Sequence, residues 1–211
     1  MNPTKRLLLR LALSMAALSP LAALAADASA PDQLIRQLSV ETLEAVKNDK
    51  AIQAGDTQKV IALVDAKVMP HVDFQRMTSS AVGRFWRQAT PEQRQRLQEE
   101  FKALLVRTYA GALTQVKEQT IALKPLRASP EDTEVVVRTE VRGKGEPIQL
   151  DYRLAKTEQG WKIYDVNVLG IWLADQYRNS FAQEINAKGI DGLIKALAER
   201  NQKAAQPAAK S

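Results

Sequence analysis

Near Ile121 the spacing of apolar residues switches from steps of three and four to strict alternation, and that switch limits the folds open to this chain. In TEVVVRTEVR, Val135, Val137, Thr139 and Val141 fall on one side, with Glu134, Arg138, Glu140 and Arg142 mostly on the other. After a Gly143–Pro147 turn, Ile148, Leu150, Tyr152 and Leu154 alternate with Gln149, Asp151 and Arg153. A second polar turn ends in Gly160 and leads into WKIYDVNV. Strict alternation there puts Tyr164, Val166 and Val168 on one face and Trp161 and Ile163 on the other. With a further strand over 121–126, the pattern predicts an antiparallel meander that has one wet face.

The flanking segments read as helices. Leu34, Ile35, Leu38, Leu43 and Val46 give one apolar stripe over 31–48. Asp56 is placed to cap a helix carrying Val60, Ile61, Val64 and Val68, which Pro70 ends or bends. A short helix is expected from Phe74 to Gly83. The strongest signal is ATPEQRQRLQEEFKALLVRTYAGALTQV: Thr90 suits the N-cap, Pro91 the first turn, and Gln93 completes a capping box. After Gly170, Leu173, Tyr177, Phe181 and Ile185 recur every fourth residue. Gly189 can close that helix, and Asp191 can cap a last one holding Leu193, Ile194 and Leu197. The result is an α+β fold: a curved antiparallel sheet of about four to five strands, covered by helices on one face. Such a sheet is either filled by its helices or left with a hollow, and periodicity does not distinguish the two.

The first 25 residues are expected to be a secretory signal peptide. Lys5, Arg6 and Arg10 precede a mostly apolar run, and Ala23-Leu24-Ala25 offers a cleavage site. The mature protein would begin near Ala26 in the periplasm, and residues 201–211 would form a disordered tail. Of 30 basic residues, 27 then face 24 acidic ones, lowering the net charge from +6 to +3. No basic block interleaved with stacking aromatics appears, which argues against nucleic acid. The chain has no cysteine and one histidine, so disulfides and thiol chemistry are excluded and a zinc or haem site is disfavoured.

Motifs for catalysis are absent: no G-x-S-x-G, no H-E-x-x-H, no phosphate-binding glycine loop and no dinucleotide fingerprint. His71 follows Pro70 at a turn, where a structural role suits it best. Tyr152, or Tyr164 with Asp165, has the chemistry for acid–base work on a small ketone, but strict alternation sets Asp165 opposite Tyr164. Asp165 is better suited to bond a backbone amide or an arginine. Arg84, Arg87, Arg94 and Arg96 form a basic cluster that suits either a solvated helix face or the docking of an acidic partner or lipid headgroups.

AVGRFWRQATPEQR, WKIYDVNVLGI and KGIDGL, in that order and spacing, resemble the MlaC family of periplasmic phospholipid-binding (toluene-tolerance) proteins of the Mla lipid-transport pathway. The likeness covers nearly the whole chain. It implies a nuclear-transport-factor-like fold over residues 26–200 as a single lipid-binding domain, with an apolar cavity that takes acyl chains and leaves the headgroup near its mouth. It further implies a shuttle that maintains outer-membrane lipid asymmetry. The partners would be an outer-membrane lipoprotein–porin complex and an inner-membrane ABC transporter with a periplasmic ring subunit. No cofactor, metal or catalytic residue is implied. On this reading the slot is lined from the sheet by Val137, Leu150, Tyr152, Tyr164, Val166 and Val168, and from the helical side by Leu105, Tyr109, Ile171, Tyr177 and Phe181. A small-molecule isomerase-like enzyme and a filled-core envelope adaptor on the same fold remain the alternatives.

Overall fold

Residues 30–205 are described by the structure, a computed structural model; the expected leader and the residues from 206 onward lie outside them. The helical stripes fold as the spacing requires. They give α1 (Pro31–Asn48), a single-turn α2 (Lys50–Gln53) and α3 (Thr57–Leu63), the last capped by Asp56. The chain continues through a π turn at Val64–Val68 and a 3-10 turn at Met69–His71, because Pro70 lacks the amide an α-helix needs. Next come α4 (Phe74–Val82) and a 3-10 segment at Gly83–Gln88. In α5 (Pro91–Thr114) the capping box forms in both directions: Thr90 N donates to Gln93 Oε1 at 3.0 Å, and Gln93 N to Thr90 Oγ1 at 3.2 Å.

Five strands follow: β1 (Thr120–Leu123), β2 (Glu134–Arg142), β3 (Ile148–Thr157), β4 (Gly160–Val168) and β5 (Ile171–Trp172). They pair antiparallel in sequence order, so the sheet is an unclosed meander. The last helix, α6 (Leu173–Ala205), is broken at Gly189, whose φ of 73° lies where glycine is favoured. It continues through the first residues of the expected tail. Asn201 is buried there, donating to the Glu100 carbonyl at 2.9 Å, so the helical body ends later than 200.

Helices cover one sheet face unevenly. α1 lies over β1 and β2, while α4 and α6 reach β4; α5 packs mainly on α6, α3 and α4 rather than on the strands. Beyond the short β5, the free edge of β4 takes the chain entering α4: Asp73 N donates to the Ile163 carbonyl at 2.8 Å. The middle of the helical layer is an aromatic cluster. The Phe101 ring stands edge-on to Tyr177 and Phe181, each at 5.2 Å, with Phe74 at 5.8 Å.

Candidate functional site

The covered sheet face changes character along its strands. At one end Val135, Leu154 and Ile163 pack against Leu34, Ile35 and Leu38 of α1, and Leu154 has no exposed surface. One step along, Val137 is buried while its cross-strand neighbours Tyr152 and Val166 are half-buried. Next, Leu150 and Val168 pair with each other and are again half-buried. At the far end Ile148 is 45% exposed and Ile171, paired with Val168, is 53% exposed. The face is therefore closed at its base and open at its tip. Side chains that burial would stabilise stay partly wet there, which makes the open end a candidate site for an apolar ligand.

From the helices, Leu105, Tyr177 and Phe181 are buried, and Tyr109, Val166 and Val168 are half-buried members of the same apolar cluster. Burial, with Tyr177 alongside, raises the pKa of the Tyr109 phenol. The structure thus brings together Leu105, Tyr109, Val166, Val168, Tyr177 and Phe181, with Leu150 and Tyr152 continuing their strip along the sheet. Val137 shares the face but sits under α1 at the closed end, 1% exposed.

Two expected positions differ. Tyr164 does not face the helices. The β3–β4 register shifts between Arg153 and Leu154, an irregularity that turns Tyr164 onto the outer face and Ile163 inward. The Tyr164 hydroxyl donates to Glu134 Oε2 at 2.8 Å, and Arg76 stacks on its ring at 3.6 Å. Ile163 and Trp161, expected to point outward, pack instead with Leu154 and the α1 cluster. The second is Ile171, which stands at the rim rather than in the wall, because it precedes α6 on a two-residue edge strand. Spacing held a signal for the first correction: the inward pairs Trp161/Ile163 and Val166/Val168 are three residues apart across Tyr164-Asp165, one more than alternation allows. Rim residues Ile148 and Leu169 carried no such mark. Leu169, 65% exposed, has a φ of 53° that leucine rarely adopts, in a tight reversal completed by Gly170. Its amide donates to the Gln149 carbonyl at 3.1 Å, which places it beside Ile148.

Burial pushes the pKa of the Tyr152 phenol up to about 12, with the Ser39 and Thr139 side chains close by, so the phenol stays neutral. Asp165, also turned outward, links three elements. Oδ1 accepts from Val166 N at 2.9 Å and from Ala174 N at 3.2 Å in the first turn of α6, and Oδ2 pairs with Arg153 at 3.1 Å. Burial outweighs these contacts and raises its pKa. An acid whose folded-state pKa is raised weakens the fold as pH climbs from its ordinary 3.8 through the raised value, and not below. Even so, removing the acceptor leaves the Ala174 amide and Arg153 without their partner. Asp165→Ala is expected to lower stability by about 1–3 kcal/mol at neutral pH, read as a shift in the urea midpoint. In the basic cluster, Arg94 donates to the Trp86 and Arg87 carbonyls and closes the segment before α5, while Arg84, Arg87 and Arg96 are exposed.

Comparison with known proteins agrees with this architecture. A phospholipid-binding protein from Ralstonia solanacearum, solved in complex with a phospholipid, is 48% identical; the match covers 83% of this chain and 98% of that one, with a TM-score of 0.81. The toluene tolerance protein ttg2D of Pseudomonas putida is 28% identical over 78% of this chain and 77% of its own length. The intermembrane phospholipid transport system binding protein MlaC of Haemophilus influenzae is 23% identical over 85% of this chain and 84% of its own. Residues 36–199, α1 through the last turns of α6, match the family model described as MlaC protein, and the chain belongs to the MlaC family.

Proposed function

We propose that this chain is a periplasmic phospholipid carrier that takes acyl chains between its sheet and helices. It would shuttle lipid between an outer-membrane lipoprotein–porin complex and an inner-membrane ABC transporter, sustaining outer-membrane asymmetry. The observation that carries the reading is the graded apolar face, closed at Leu154 and open at Ile148 and Ile171, in a chain 48% identical to a protein solved with a phospholipid. The pattern of residues 1–25 supports export, and among the described residues no helix is long and apolar enough to cross a membrane.

A carrier needs no catalytic group. Each acyl methylene leaving water contributes about 0.8 kcal/mol, so two chains of ordinary length represent on the order of 20 kcal/mol gross. A dry slot that follows the lipid across the aqueous gap lowers that barrier. The chain carries no nucleotide-binding motif, so direction would come from its partners' differing affinities and from ATP used by the transporter. Native mass spectrometry of protein purified from the periplasm tests the proposal. Phospholipid bound at a fixed stoichiometry is expected; lipid-free protein that also takes up none from vesicles would refute it.

A further inference from the structure

The wet face of the sheet, opposite the proposed slot, is not uniformly solvated. It holds a depression of about 750 Å³ whose lining includes Lys124, Arg127, Arg138 and Arg153 against one carboxylate, Glu134. Lys124 and Arg153 are engaged, with Glu140 at 2.8 Å and Asp165 at 3.1 Å. Arg127 and Arg138 are exposed and have no acid within ion-pair distance among the described residues. In a chain with 30 basic and 24 acidic residues, this is a local excess of cations gathered in a concave surface. Two guanidinium groups at its margin are held in place: Arg76 stacks on Tyr164 at 3.6 Å and pairs with Glu134 at 2.6 Å, and Arg153 stacks on Trp172 at 3.8 Å. With those two already paired, Arg127 and Arg138 are the cations left for an incoming carboxylate, and they sit beside arginine, tyrosine and tryptophan side chains of the composition of interface hot spots.

We propose that this depression is a docking surface for a carboxylate-rich segment of a protein partner. Its shape and chemistry favour a protein over a membrane. A flat bilayer cannot fill a concavity, and of the exposed large apolar side chains Ile148, Leu169 and Ile171 are at the slot's open end and Val40 is on α1, none of them lining the depression. The inference rests on the carrier reading for its purpose, since a shuttle must dock while its slot stays unobstructed. The face opposite the slot provides that separation. Complementary charge would also speed encounter and make it sensitive to salt.

The test uses the mature full-length chain and a fluorescently labelled hexaglutamate peptide, followed by anisotropy at low ionic strength. Saturable binding is expected, with Kd raised at least about tenfold in the Arg127→Glu/Arg138→Glu double variant. A control double reversal at the exposed Arg36 and Lys59, on the helical side, should leave Kd nearly unchanged. Failure of the wild type to bind, or equal weakening by both double variants, overturns the proposal. So does a preference for vesicles containing anionic phospholipid that depends on the same two arginines. Lipid content of each sample by native mass spectrometry separates this idea from the carrier reading. Lipid retained in the docking variant together with lost peptide binding supports it. A lipid-free wild type that still binds the peptide at Arg127 and Arg138 refutes only the carrier reading.

Discussion

A Val168→Arg variant is expected to fold and to emerge from the periplasm without lipid. Val168 lies on the covered face between Leu150 and the exposed Ile171, so its side chain is half-buried near the open end. An arginine there can lay its methylenes along Leu150 and extend its guanidinium to water, so the fold survives. The charge would then sit at the open end of the proposed slot, where burying it under acyl chains is costly. Lipid-bound protein in native mass spectra should fall at least about tenfold, with a urea midpoint close to that of the wild type. Wild-type loading in a folded variant would show that the ligand does not pass Val168. The same substitution at Val137 asks a different question. That residue is 1% exposed beneath α1, so an arginine there would be forced into a packed core and the fold would fail first.

Phe101→Ala is expected to cost about 3–5 kcal/mol of stability. Phe101 has no exposed surface and touches three other rings, two of them edge-on. It joins α4, α5 and α6 at one point, so neighbouring side chains have little room to collapse into the space left behind. Urea denaturation should show a lower midpoint with an unchanged slope. A loss below about 1 kcal/mol would mean that the cluster repacks, contrary to the close ring geometry.

The elements were legible wherever one local rule governed them. Thr90, Pro91 and Gln93 form the cap their order predicts, and Asp56 caps α3 as its position suggests. The two-residue period found β2, β3 and β4 in sequence order. It failed within one strand, at Tyr164, because an irregular register carries side chains across the sheet without any glycine or proline to announce it. The expectation that Asp165 bonds a backbone amide or an arginine matches its contacts with Val166, Ala174 and Arg153, although its stated opposition to Tyr164 does not. For the candidate site, periodicity identified most of the apolar face but not its gradient. Which end is closed depends on α1 lying over β1 and β2, a tertiary arrangement that strand spacing does not encode. The cationic depression was not legible either, since Arg127, Arg138 and Arg153 are separated in sequence and meet only when the meander pairs.

The displaced register in β4 also gives adjacent residues different obligations. Ile163 answers to the packed base under α1, and Tyr164 to the charged outer surface through Arg76 and Glu134. A change at Ile163 should therefore be felt in folding, and one at Tyr164 in what the outer surface can meet. The strand works as a seam at which two surfaces of the molecule can drift independently, one residue apart.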